Sequence, residues 1–533
     1  MPATRTTSAA ESAIVIPVVV AAGFAAAAAW LRFGVDDALI NLRYAENIAA
    51  GYGPVFNPGD RVEGFTTPVW VFVLGALHRL GAPLLGTAHV LGIATAAIAI
   101  VVTGVVAARL APRLGVRAAA LAALLVALHP GVLFWTASGM ETGAFMLVVL
   151  VAFVVSTRGG TPGWAGFLCG IAVATRPEAA LFAAGLGIAV LVREGFGAAV
   201  RFAAAFLAIA GTLEAFRLAY YGVPLPNTFY AKVGLQFRHG AWYLWQFCRD
   251  GGWIFALAPL ALAGPERWTA GVWLALVAAY ATWVASIGGD FYAFHRFLVP
   301  IVPVLAVLAA LGAERLVGGR PRAASALVVA LLAVWGASLR GSYAYAVSAA
   351  RAVDGITSAF RPLGLALRNG APPGTTVAMV SIGAIPYFAG PDVRILDMLG
   401  LTDPHIARHG VVVPDGVPAH SRYDNAYVFD RRPELVLIPP PKVWNACRRP
   451  LTAADVRADP CGTAFLGRVA IETGLYYRDC PVGPPPPCPY ALPVEVDLMS
   501  PERRALFETE YERVTELPKI GKINAYRRRD WMP

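Results

Sequence analysis

Charge is scarce in this chain. Of its 533 residues only 15% are Asp, Glu, Lys or Arg, against 57% hydrophobic, whereas soluble domains carry about 25% charged residues. A soluble protein of this length would need more polar surface to cover its core. Mean hydropathy is +0.58, and the apolar residues gather into long runs, the pattern of membrane-spanning helices. Other absences narrow the field. The formal net charge is +10, but no Lys/Arg-rich block or nucleic-acid motif accompanies it, so nucleic acid is not the partner. Many basic residues stand instead at the ends of apolar runs, where orientation signals belong. No glycine-rich phosphate loop is present to hold a nucleotide.

The first apolar run covers about residues 13–33 and is long enough to span. Its upstream charge is only Arg5 against Glu11, so it reads as an uncleaved helix rather than a signal peptide. Further runs lie near 86–108, 118–135, 140–157, 163–175, 178–193, 201–220, 252–264, 268–287, 297–313 and 323–340. The stretch 68–85 is also apolar but is interrupted by His78 and Arg79, and reads as a partly embedded helix. Basic residues sort the connections. Arg109, Arg113, Arg117, Arg158, Arg193, Arg201, Arg267, Arg315, Arg320 and Arg322 all fall between alternate runs. If those loops are cytoplasmic, about eleven spans result, with the N-terminus inside and the C-terminus outside. The expected architecture is an α-helical polytopic membrane domain over residues 1–340, with a first outer loop at 34–85. A soluble extracytoplasmic domain of mixed α/β type follows over 341–533. In that tail Thr376–Ser381 and Glu434–Ile438 read as buried strands between turn signals.

Four of the six cysteines lie in the tail: Cys447, Cys461, Cys480 and Cys488. Their spacing lacks the C-x-x-C pair of a zinc site. An outward domain is where disulfides persist, so two bridges are expected there, in any of three pairings. Cys169 and Cys248 lie in or beside membrane segments and read as unpaired.

The unusual polar residues collect on the outer side. Asp36 and Asp37 follow the first span directly. Read as a helix, Asp36, Ile40, Arg43, Tyr44 and Asn47 share one face, and Gly51 with Gly53-Pro54 ends it. Aspartates at a helix start are commonly caps that complement the dipole. Two of them at a membrane rim also suit a general base that removes a proton from an attacking hydroxyl. The second carboxylate would then orient the first, bind a sugar hydroxyl, or help hold a divalent metal. Glu63, in the same loop, is either paired with Arg61 or in the cavity. Glu141 opens the fourth span as a helix-terminal carboxylate or faces the cavity beside Asp36. Arg176, in Thr175-Arg176-Pro177-Glu178, needs a counter-charge: Glu178 is the plain partner, a phosphate the sharper one. Asn227 and Lys232 sit in a Pro-rich aromatic loop, and Asp290, His295 and Arg296 open the tenth span. Arg296 is a second phosphate candidate or a snorkelling anchor. Asp290 is a hydroxyl or counter-charge candidate.

These segments carry a resemblance. The run DDALINLRYAENIAAGYGPVFNPGDRVEGFTTPVW, followed in order by SGMET, TRPE, PNTFYAK and GGDFYAFHRFLVP, resembles the mycobacterial terminal β-arabinofuranosyltransferase family and its bacterial relatives. These are GT-C membrane glycosyltransferases. The likeness spans about residues 30–340 and continues through SIGAIPYFAGPDVRILDMLGLTDPHIA. It implies a polyprenyl-phosphate sugar as donor and inverting transfer on the outer face of a bacterial cytoplasmic membrane. The acceptor would be an envelope glycan or another envelope acceptor. It implies a first-loop aspartate as base, Asp36 or Asp37 with Asp36 preferred, and donor-phosphate contacts from Arg176, Arg296 and Lys232. Arg43, Tyr44, Glu63, Glu141, Asn227, Asp290 and His295 would line the substrate site. A transporter would show charges deep in several spans or repeated halves, and no clear repeat is visible. A non-catalytic envelope assembly or sensory protein is the other alternative.

Overall fold

The computed structural model describes residues 4–232, 234–317, 320–412 and 422–438, with four short strand segments beyond them. The apolar runs become helices: α1 (Thr4–Leu31), α2 (Asp36–Ala49), α3 (Pro68–Arg79), α4 (Leu84–Leu110), α5 (Val116–Ala127), α6 (Pro130–Ala137), α7 (Thr142–Arg158), α8 (Pro162–Thr175), α9 (Ala179–Glu194) and α10 (Phe196–Tyr221). Next come α11 (Asn227–Ala231), α12 (Phe237–Arg249), a 3-10 helix over Gly252–Ala263, α13 (Arg267–Ser286), a 3-10 turn over Val299–Ile301, α14 (Val302–Val317), α15 (Pro321–Ser338) and α16 (Arg340–Gly370). Five of these segments are long and apolar enough to cross a membrane, or up to seven if each of two bent pairs counts as one span. One bent pair is α5 with α6, turned by 56°. Its break falls at His129-Pro130, where proline removes a backbone donor. His129 Nδ1 instead accepts from the Gly131 N–H at 3.2 Å. Three further apolar helices are shorter: α7, α8 and the 3-10 helix.

The tail adds β1 (Thr376–Met379), α17 (Ala384–Ala389), β2 (Arg394–Asp397), α18 (Pro404–His409), β3 (Val411–Val412), β4 (Arg422–Tyr423), α19 (Asn425–Asp430) and β5 (Leu435–Ile438). It ends with β6 (Val443–Trp444), β7 (Pro450–Leu451), β8 (Tyr511–Val514) and β9 (Asn524–Arg528). Five strands form one sheet in the order β2-β1-β5-β9-β8. β1 runs parallel to β2 and β5, and β9 is antiparallel to its neighbours. The mixed α/β tail is therefore present. The four tail cysteines lie outside the described residues.

Two apolar cores matter for the site. The larger joins the membrane helices. A second contains Leu39, Ile40, Leu42, Tyr44, Phe56 and Trp70 from the first loop together with Leu363, Val377, Ile382, Ile385 and Ile395 from the tail. The first loop and the tail are thus packed as one body. Polar bonds match the packing: Asp60 meets Arg394 at 2.7 Å, and Asn57 bonds the backbone of Ile395 at both its N–H and its carbonyl.

Candidate active site

The first loop sends its polar residues to two different places. Arg43 is buried, and its guanidinium donates to the carbonyls of Phe56 (2.9 Å), Gly390 (3.1 Å) and Val393 (2.8 Å), and also to Pro386. A longer contact from Nη2 reaches the side-chain oxygen of Asn57 at 3.5 Å, so the fork is spent within the protein. The Tyr44 hydroxyl donates to the Val62 carbonyl at 2.8 Å and accepts from the Gly64 N–H at 2.9 Å. Both residues, expected in substrate contact, are instead struts between loop and tail, because a buried carbonyl without a donor is costly. Asn227 is also a strut: its amide donates to the carbonyls of Gly400 (2.9 Å) and Leu401 (3.1 Å). Glu63 is not paired with Arg61. Its partner is Arg217 at 2.6 Å, on α10, while Arg61 lies over the Tyr220 ring.

The adjacent aspartates part company in the same way. Asp36 accepts from two backbone donors at the start of α17, Gly383 N–H at 3.1 Å and Ala384 N–H at 2.7 Å. A Cβ at Gly383 would strike both the carbonyl and the carboxylate of Asp36, so a glycine is required for this approach. Burial raises the Asp36 carboxyl to about 6 against the bonds from those N–H groups. Asp37 points the other way. Its Oδ2 meets Arg296 Nη1 at 2.8 Å, and the Tyr292 hydroxyl donates to its Oδ1 at 3.4 Å. Its side chain is 31% exposed.

Around Asp37 stands a cluster of paired charges. Arg296 also pairs with Asp290 at 2.8 Å. Arg176 bridges Glu141, at 2.6 Å, and Glu178. Both guanidiniums lie over the same ring, Phe297, at 5.3 and 5.4 Å. The aromatic face lets two like charges approach. Glu141 Oε2 is buried with no hydrogen-bond partner among the described residues. Lys232 stands at the end of α11. Its electrostatic neighbours are Arg296, Asp37, Asp290 and Arg176. Its backbone N–H bonds the Thr228 carbonyl at 3.1 Å, but its ammonium makes no hydrogen bond or ion pair among the described residues, whereas both arginines are paired with carboxylates.

The loop that carries Asp290 and Arg296 is held in an unusual shape. Phe294 and His295 have φ of 62° and 57°, the left-handed region that non-glycine residues seldom adopt. Trp135 Nε1 donates to the Ala293 carbonyl at 3.1 Å, and the Tyr243 hydroxyl accepts from the Phe297 N–H at 3.2 Å. His295 is buried edge-on against Tyr243 and Phe247, a packed core histidine rather than a substrate contact. Tyr292 and Tyr243 escaped notice in the sequence because interfacial aromatics are common. No group of three or more His, Cys, Asp or Glu side chains among the described residues is placed to hold a metal ion.

This arrangement sits on a known scaffold. The structure superposes on ArnT from Cupriavidus metallidurans, solved bound to undecaprenyl phosphate, with a TM-score of 0.54 over 80% of this chain and 93% of that one. The fold is GT-C. Sequence identity there is 15%, so the match speaks for architecture. In sequence the chain is similar to the terminal β-(1→2)-arabinofuranosyltransferase of Mycobacterium tuberculosis, 30% identical over 257 residues. The match covers 44% of this chain and 40% of that relative. The Corynebacterium glutamicum protein of the same name is 26% identical over 341 residues, covering 52% of this chain and 48% of its own. The chain spans less than half the length of these curated relatives. Residues 351–477 match a domain of unknown function (DUF8728). The resemblance read from the motifs is borne out by these relatives.

Proposed function

We propose that this GT-C protein is a membrane glycosyltransferase. It moves a sugar, arabinofuranose by likeness to its relatives, from a polyprenyl-phosphate donor to an envelope glycan. The reaction lies at the outer face, where the polar cluster and the tail would sit. The observation that carries the reading is the split of the aspartate pair on a GT-C scaffold. Asp37 faces a cationic cluster, while Asp36 is engaged by backbone.

The chemistry follows from the arrangement. The acceptor hydroxyl attacks the anomeric carbon opposite the phosphate, the carbon–oxygen bond to phosphate breaks, and the configuration inverts. The hydroxyl proton passes to the Asp37 carboxylate. Charge growing on the leaving phosphate is met by Lys232, whose ammonium is in no ion pair among the described residues, and by Arg296, already oriented by Asp37 and Asp290. Arg176 and Glu141 complete the polar wall. Asp36 positions Asp37 by tying the first turn of α2 to α17. A lipid-borne donor accounts for a site at a membrane rim, since such a donor cannot leave the bilayer. The test is incubation of the purified protein with a panel of polyprenyl-phosphate sugars and an arabinan acceptor, with mass analysis of the glycan. Transfer from one donor with inversion is expected. Failure of every polyprenyl-phosphate sugar to react would remove the reading.

A further inference from the structure

An amphipathic helix on a soluble surface turns its apolar side inward and leaves a polar side out. Helix α12 has large apolar residues on both sides. Its inner face is Gly240, Tyr243 and Phe247, all buried. A Cβ at Gly240 would strike the Ala285 backbone at the end of α13, and one at Gly289 would strike the Tyr243 ring. The helix therefore lies directly on the loop that carries Asp290 and Arg296. Its outer face holds Phe237, Trp242 and Trp245, which are 56%, 50% and 59% exposed. Arg238 and Arg249 bracket the two indoles in sequence, and Arg249 meets Asp250 at 3.2 Å. Indole rings flanked by guanidiniums suit the headgroup level of a bilayer, where one end of the ring is apolar and the other wet. The neighbouring chain agrees. After α12 come the apolar 3-10 helix and α13, itself long enough to cross a membrane. Five residues before α12 stands Lys232, whose ammonium is in no ion pair among the described residues.

We propose that α12 lies in the plane of the outer bilayer face, with Phe237, Trp242 and Trp245 among phospholipid, and forms the threshold by which a lipid-borne phosphate reaches Lys232. The occupant of its outer face is the phospholipid bilayer. The threshold role rests on the donor reading above; the placement in lipid does not.

The experiment uses the full chain in nanodiscs of phosphatidylcholine and phosphatidylglycerol, compared with a Trp242→Ser, Trp245→Ser double variant. Lipids brominated near the headgroup should quench a share of tryptophan emission that the double variant no longer has. Equal fractional quenching of the two proteins overturns the placement. In the transfer assay, the variant should raise KM about tenfold for a long-chain polyprenyl-phosphate arabinofuranose with kcat unchanged. A short-chain, water-soluble analogue should keep its KM, and the Trp→Phe double variant should restore the long-chain value. Equal loss on both donors overturns the threshold. A wild-type protein that uses neither donor would instead sink the donor reading, with the quenching comparison still deciding where α12 lies.

Discussion

Asp36 and Asp37 are neighbours in sequence and belong to different machines. Asp36 faces the seam between first loop and tail, where Arg43, Tyr44, Asn57 and Asn227 are also used. There, side chains bond backbone groups, with Asn227 Oδ1 left without a partner among the described residues. Asp37 faces the cluster of Arg296, Asp290, Arg176 and Glu141, where charges meet charges and Lys232 is left over. A seam of neutral backbone partners holds position. A cluster with an unmatched cation and an orphaned acceptor is ready to bind something. The same residue types thus serve support in one place and chemistry in the other, according to what lies opposite.

The sharpest way to break this comparison is Asp37→Asn. It should cut kcat roughly a thousandfold, with an unchanged thermal midpoint in detergent. A variant that melted early but still transferred sugar would put Asp37 in the seam. Arg43→Ala should do the reverse. It leaves several buried carbonyls without a donor and should cost about 3 kcal/mol of stability, read as a lowered midpoint. Arg43→Lys should recover only part, since one ammonium cannot span the same carbonyls. A full-stability Arg43→Ala protein would dissolve the distinction.

Lys232→Ala comes next in size. Loss of one charge-assisted contact should raise donor KM about tenfold with little change in the midpoint. If donor KM does not move, the free cation has no part in phosphate binding. The smallest effect is a pH dependence of the seam. Burial raises Asp36 to about 6 and Asp397, held by the N–H groups of Leu399 and Thr402, also to about 6, above the ordinary 3.8. The folded protein then binds these protons more tightly than the unfolded chain. Their contribution to stability is full below pH 4 and is lost as the pH rises through 6. Acidification from pH 7 to 5 should therefore favour folding, and Asp36→Asn should remove about 1 kcal/mol of that gain. An identical pH response in wild type and variant would mean that Asp36 is not buried against α17.

Much of this was legible beforehand, for physical reasons. Long apolar runs have few alternatives to helices, and the runs near 86–108, 201–220 and 268–287 recur as α4, α10 and α13. The helical period also put Asp36, Ile40, Arg43, Tyr44 and Asn47 on one face. That face exists, but it docks the tail; the expectation that Arg43 and Tyr44 met substrate came with the resemblance and their polarity. Polarity does not say whether a carbonyl or a ligand lies opposite. Glu63 with Arg217 and Asp36 with Gly383 join residues more than 150 positions apart, which no local pattern contains. The tail motif, the fainter part of the resemblance, supplies the carbonyls and N–H groups that the first loop requires.

The amino-acid order alone decided the solvent: a chain so poor in charge, with its apolar residues in runs, must place helices in lipid. It also decided which segments carry polar groups at the rim, because charge in hydrocarbon is too costly to be scattered. Folding decided which of those groups are spent on holding the protein together and which remain available. That choice depends on the partner opposite each side chain, and such partners come from remote parts of the chain.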